Sequence, residues 1–375
     1  MQHRELCLNW RVDVTIVVRF AAVGKQDNPI ARGCQLASQT NRYRTDFQRP
    51  LPFGEACHIA PKMQKCQYFL LIGLLDLGPP QLPGSHQFSE PHNTPAQAQL
   101  MTPDSLSPPG GAPDAAMPLD AGHIDIWLVF YQHIADPALL AALLALLNEA
   151  ERAQQLRFHF ADDRLRYLAT RALVRTVLSR YAPLAPADWI FTPNAYGRPA
   201  IANEHAQART LSFNLSHTRG LIALAVTRER VLGVDVENLT TRQVSDGIAE
   251  HFFSPVEVAE LATVPPERRQ DRFFEYWTFK ESYIKARGMG LSIPLDRFSF
   301  HFPDERQVRL SVEADLGDDA ERWHFWQFRP APGYLLALCA ERLDGDLPQL
   351  NVRSAIPTVA DTPFAWTLLK AGPRS

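Results

Sequence analysis

Cysteine is scarce in this chain, and what there is lies scattered. Of five in 375 residues, Cys7, Cys34, Cys57 and Cys66 fall at no metal-ligand spacing, and Cys339 lies inside the apolar run Leu335 to Ala340. Neither a disulfide framework nor a thiolate metal site is encoded, and a reducing, cytoplasmic setting is the simplest expectation. Charge of one sign is also missing. The 41 acidic residues stand against 38 basic ones, which argues against a general nucleic-acid binder, whose footprint is a basic surplus. Long hydrophobic runs are absent: Tyr68 to Leu77 is apolar, but it is about half of the roughly 20 residues a bilayer span needs, and Asp76 interrupts it. Arg11, Asp13 and Arg19 likewise break any cleavable leader starting at Met1, so no membrane association is expected. Nor is there a glycine-rich phosphate loop or an aspartyl nucleophile motif, the usual marks of kinases and phosphohydrolases.

Sustained periodicity is lacking over the first 120 residues. They hold four of the five cysteines and pass into a proline-rich stretch between Pro79 and Pro118 that cannot build a core. Residues 1–120 are expected to be a disordered or misassigned extension, with Met101 or Met117 as the real translation start. The pattern changes from Ile124 to about Glu341. Strands are expected over Ile124 to Tyr131, Val231 to Glu237, Phe298 to Phe302, Val308 to Val312, Trp323 to Phe328 and Tyr334 to Ala340, with helices around Leu139 to Gln155, Asp162 to Tyr181 and Glu267 to Ala286. Thr210 to Val226 reads as a hairpin, with Leu211, Phe213 and Leu215 alternating before a turn at Thr218, Arg219 and Gly220. After Asp344 apolar periodicity fades again, and the tail, 345–375, is expected to pack loosely.

What is present is a set of polar residues at telling positions. In Gly233-Val234-Asp235-Val236-Glu237 the strand alternation sends Asp235 and Glu237 to one face and the valines to a core. Two carboxylates about 7 Å apart along a strand suit a hard cation such as magnesium, which takes carboxylate, water and phosphate oxygens. A third carboxylate comes from Trp277-Thr278-Phe279-Lys280-Glu281-Ser282, where Glu281 and Lys285 share a helix face. Ser216 and His217 close the first hairpin strand with groups that can donate to phosphate oxygens. Tyr196-Gly197-Arg198-Pro199 offers a tight turn, a cation and a rigid stop. Singly, each is ordinary, since Asp-x-Glu at a strand end is usually a solvated edge and Lys-Glu pairs on helices are usually surface ion pairs.

Taken in order, YGRP, FNLSH, GVDVE and WTFKESYIKARGMGLSIPL closely resemble the 4'-phosphopantetheinyl transferases of the Sfp type, strongly over Phe191 to Phe300 and in pattern from about Ile124 to Glu341. The resemblance implies an α+β protein of two pseudo-twofold-related lobes, 121–230 and 231–344, each a small antiparallel sheet packed with a long helix. It implies a monomeric, magnesium-dependent enzyme that moves the phosphopantetheine arm of coenzyme A onto a serine of an apo acyl or peptidyl carrier protein, releasing 3',5'-ADP. Carried over residue by residue, the metal falls to Asp235, Glu237 and Glu281, with Glu281 also the base for the serine and Lys285 set against the phosphates. Lys280 matches the motif lysine in a supporting role. Ser216, His217 and Arg198 match coenzyme A contacts, Tyr196, Gly197 and Pro199 match the turn beside the adenine, and Arg166 matches an arginine of the preceding helix. Carriers of this class are acidic, so a local basic surface is expected. The chain departs from the family in one place: the lysines that commonly reach the 3'-phosphate of coenzyme A are here Glu151 and Gln154. Two other readings compete, a catalytically dead binding module, which would be expected to have lost one of these carboxylates or Lys285, and a magnesium phosphohydrolase or kinase.

Overall fold

The computed structural model describes residues 4–10, 14–20, 117–241, 244, 247–343 and 347–373. Most of the expected extension, including the bulk of the proline-rich run and Met101, lies outside them. The first two strands, β1 (Arg4–Trp10) and β2 (Val14–Phe20), pair with each other as an antiparallel hairpin.

From Met117 onward the elements are β3 (His123–Val129), α1 (Pro137–Ala145), α2 (Glu149–Gln155), α3 (Ala161–Leu178), β4 (Phe191–Pro193), β5 (Pro199–Ile201), α4 (Ala206–Arg209), β6 (Leu211–Thr218), β7 (Leu221–Arg228) and β8 (Leu232–Asn238). There follow α5 (Ile248–Phe252), α6 (Pro255–Thr263), α7 (Pro266–Arg287), β9 (Phe298–His301), β10 (Arg309–Val312), β11 (Trp323–Arg329), β12 (Tyr334–Glu341), β13 (Gln349–Ile356), β14 (Ala360–Pro363) and β15 (Thr367–Ala371). The expected helix over 139–155 is two helices, because Asn148 and Glu151 form a reciprocal capping box that starts α2 afresh.

Side-chain alternation builds a layered body. Ile124, Ile126 and Leu128 of β3 and Leu221, Ala223 and Ala225 of β7 face Val234 and Val236 of β8 and Leu336 and Leu338 of β12 in a core between two sheets. The opposite faces of β3 and β7, with Trp127, Val129, Ile222 and Leu224, pack on Leu168, Leu173 and Val177 of α3. The opposite face of β12, with Leu335, Ala337 and Cys339, packs on Phe274, Phe279 and Tyr283 of α7. Helix, sheet, sheet and helix therefore stack in that order, with strands buried on both faces and period-2 side chains feeding two cores at once.

One sheet runs β14-β13-β3-β7-β6 and the other β15-β11-β12-β8. The second is antiparallel throughout. The first is mixed, because β13 lies parallel to β3 from Gln349 opposite His123 to Ser354 opposite Leu128. This corrects two expectations, an antiparallel first sheet and a loosely packed tail. The tail instead supplies strands to both sheets, burying Val352, Ala355 and Lys370. Its apolar positions are too few to show a period, but the open edges of β3 and β11 offer unpaired backbone groups that any extended segment can satisfy.

Gly233 sets how closely α7 approaches β8. A Cβ there would collide with the backbone of Ser282 and Ala286, which cannot swing aside as a side-chain tip would. Gly233→Ala is expected to lower unfolding free energy by about 3 kcal/mol through overpacking, a loss that urea denaturation would measure; an unchanged midpoint would disprove the close approach.

Candidate active site

The two sheets meet along their edge strands β6 and β8. Three β6 side chains on one face, Asn214 Oδ1, Ser216 Oγ and Thr218 Oγ1, accept hydrogen bonds from the backbone N–H groups of Val234, Val236 and Asn238 at 2.9, 3.3 and 3.2 Å. The offset of twenty residues is constant, so the strands run side by side in the same direction. On the other side of β8, Gly233, Asp235 and Glu237 face α7, as the alternation predicts.

At this seam Lys285 Nζ donates to Asp235 Oδ1 at 2.7 Å and to Ser216 Oγ at 2.8 Å, and Ser216 Oγ donates to Asp235 Oδ1 at 2.9 Å. Glu281, one turn back on α7, is buried beside them. Burial first, and then the charge of Asp235, push its carboxyl up to about 7, with Lys285 opposing. Trp277 Nε1 donates to Glu237 Oε1 at 3.2 Å. Asp235, Glu281, Lys285 and Ser216 are thus brought together from three elements, with Glu237 on the same strand face one pleat along.

Asp235 Oδ2 and Glu281 Oε1 are buried and accept no hydrogen bond, an expensive arrangement for carboxylate oxygens. They are hard donors of the kind magnesium takes, one or two at a time, with phosphate oxygens and water completing its shell. The residues fit such an ion as a partial shell. Among the described residues no group of three or more His, Cys, Asp or Glu side chains is gathered to hold a metal alone.

Other expected residues take different places. Ser216 has one hydroxyl proton and two lone pairs, and Asp235, Lys285 and the Val236 N–H use all three; its first task is to hold Asp235 and Lys285. His217 points to the other side of β6 and is exposed. Lys280 is not at the seam: fully buried, it pairs with Glu257 at 2.7 Å and donates to the carbonyls of Leu295 and Phe298. Burial lowers its pKa against the pull of Glu257. That places it beneath α7, away from Asp235 and Lys285. Arg166 pairs with Asp163 at 2.6 Å and lies near Asp162. Asn194 to Arg198 is a tight hairpin turn with Gly197 at φ 91°, which leaves Tyr196 half exposed, and Pro199 opens β5 opposite Pro193. Arg198 turns inward, to backbone carbonyls of α7, β6 and β8. Glu151 accepts from Arg171 and from Arg175, which lies at 2.9 Å. Asn214, Thr218, Trp277 and Asn194 were given no role at the site from the sequence. The first two could have been found as the positions flanking Ser216 on its face of the strand.

Residues 231–339 match the 4'-phosphopantetheinyl transferase superfamily and residues 135–229 match the 4'-phosphopantetheinyl transferase N-terminal family. The 4'-phosphopantetheinyl transferase Sfp of Bacillus subtilis (strain 168) is 32% identical over 201 residues, 54% of this chain and 85% of that protein. Another Bacillus subtilis transferase, ffp, is 35% identical over 205 residues, with the same two shares. The chain belongs to the 4'-phosphopantetheinyl transferase superfamily. HetI of Nostoc, also a 4'-phosphopantetheinyl transferase, is 37% identical over 153 residues, 41% of this chain and 64% of HetI. The two family matches, 135–229 and 231–339, contain every residue of the seam, and this transferase is an enzyme of mixed α+β fold.

The raised Glu281 carboxyl makes a prediction about the metal-free transferase. The folded state binds this proton more tightly than the unfolded chain, whose ordinary value is 4.5. The resulting cost is absent below about pH 4.5, grows as pH rises, and is complete above about 7, where it reaches about 3 kcal/mol. Glu281→Gln should therefore be the more stable protein above pH 7 in chelator, with the gap closing toward pH 4.5. Urea midpoints across that range would test this, and a pH-independent gap would refute it.

Proposed function

We propose that the protein transfers the 4'-phosphopantetheine arm of coenzyme A to a serine hydroxyl of apo acyl or peptidyl carrier proteins, with magnesium, releasing 3',5'-ADP. The observation that carries this reading is the meeting of Ser216, Asp235, Glu281 and Lys285 at one seam, with two buried carboxylate oxygens left without hydrogen bonds, in a chain of this superfamily.

The chemistry suits these groups. The serine oxygen forms a bond to the phosphorus next to the pantetheine, and the bond from that phosphorus to the bridging oxygen breaks, its electron pair leaving with 3',5'-ADP. Glu281, with its carboxyl near neutrality, receives the serine proton. Lys285 stands where its ammonium can turn from Asp235 to the phosphate oxygens as charge develops. Asp235 and Glu281 would hold the magnesium ion, with Glu237 completing the expected set, and the ion when bound supplies Lewis-acid stabilisation of the phosphate oxygens. His217, Tyr196, Gly197 and Pro199 are assigned to coenzyme A as before.

Each sheet carries a long helix, α3 or α7, on its outer face, which supports two lobes related by a pseudo-twofold axis. Because one chain supplies both, a monomer is expected. Among the described residues no helix is long and apolar enough to cross a membrane. The few, scattered cysteines support a cytoplasmic setting.

Several apo acyl and peptidyl carrier domains incubated with the protein, coenzyme A and magnesium should each be tested by intact-protein mass spectrometry. A gain of one phosphopantetheine on at least one carrier is expected, with the rate falling about a thousandfold in Asp235→Ala. Full transfer by Asp235→Ala, or no gain with any carrier, would count against the proposal.

A further inference from the structure

Arg198 belongs to the turn expected to touch coenzyme A, yet its side chain is committed elsewhere. Nη1 donates to the carbonyls of Lys285 at 2.6 Å and Ala286 at 2.9 Å, and Nη2 to those of Phe213 at 3.3 Å and Leu232 at 3.0 Å. A guanidinium has five N–H donors. Four are spent on these carbonyls, so no pair of Nη–H bonds is left to grip a phosphate. The carbonyls belong to the last turn of α7 and to the two edge strands, β6 of one sheet and β8 of the other. One of them is the carbonyl of Lys285 itself. A helix end has orphan carbonyls that need partners, and the turn adds another bond there, from Asn194 Nδ2 to the Gly288 carbonyl at 2.8 Å.

We propose that Arg198 is a positioning residue: it pins the last turn of α7 to both edge strands and thereby fixes where Lys285 Nζ stands relative to Asp235 and Ser216, without contacting the substrate. Lysine cannot replace it, because an ammonium is a point donor and cannot reach four carbonyls on three elements as the flat fork does. The inference rests on the proposed transfer for its kinetic consequence but not for its structural one.

The test is Arg198→Lys in the full chain, followed by two independent readouts. Amide hydrogen exchange, read by mass spectrometry, should accelerate over residues 282–288 and stay unchanged over 273–279. That readout requires no transfer, so it stands even if no carrier is modified. In transfer assays at varied coenzyme A, kcat should fall by about a hundredfold, the cost of misplacing a reacting group by about 1 Å, while KM for coenzyme A stays within about threefold of wild type. Arg198→Met should match Arg198→Lys, showing no rescue by charge. Unchanged exchange over 282–288 would overturn the proposal. So would a raised KM with kcat retained, or near-complete rescue by lysine, either of which marks a direct phosphate contact. If neither Arg198 variant folds, Asn194→Ala loosens the same turn from the exposed side; it should show the same exchange and kcat changes in milder form, and a variant indistinguishable from wild type in both would overturn the idea.

Discussion

Edge strands carry unpaired N–H groups, and burying such a group without a partner costs about 1–3 kcal/mol. Where β6 and β8 meet, Asn214, Ser216 and Thr218 meet that demand with side-chain oxygens in place of a backbone ladder. A backbone ladder would have held the strands about 4.8 Å apart and merged the two sheets into one. Side-chain acceptors keep β8 a side chain's reach from β6. The site lies in that interval, because Ser216 uses its remaining bonding capacity on Asp235 and Lys285. Closing the fold and aligning the site are therefore one set of contacts, which explains why so many polar residues are buried here.

The helix on β8 shows how one sequence run serves two ends. Successive residues of an α-helix turn by about 100°, so Lys280 and Lys285, five apart, leave on different sides of α7, whereas Glu281 and Lys285, four apart, leave together. Lys280 meets Glu257 and the carbonyls under the helix; Lys285 meets Asp235 above it. The motif's two lysines thus lie apart, one beneath the helix and one at the seam. Burial first, and then the neighbouring Asp235, push the Glu281 carboxyl up to about 7, with Lys285 opposing.

The layered core and the seam residues were legible because they depend on period-2 and helical patterns. Val234 and Val236 enter the core between the sheets and Asp235 leaves on the opposite face, as alternation alone requires. Contacts made to backbone leave no such trace. Nothing in Tyr196-Gly197-Arg198-Pro199 tells that the arginine is spent on four carbonyls, because every residue type presents the same acceptor. The strands of the tail were missed for a related reason. β13 is held by its ladder to β3, and its few buried side chains, Val352 and Ala355, are too widely spaced to mark a strand.

The departure at Glu151 is resolved by residues far along the chain. Its carboxylate completes the capping box of α2 and accepts from Arg171 and Arg175, twenty and twenty-four positions away on α3. Arg175 is fully buried and also donates to the carbonyls of Pro186, Ala187 and Trp189, so it is a structural cation. Arg171 is less confined; it stacks over Phe191 at 5.0 Å and lines a cavity of about 260 Å³ with Asn148, Glu151, Tyr167 and Phe191. Two guanidinium charges thus stand against one carboxylate. Glu151 thus ties α2 to α3 by holding both arginines in place.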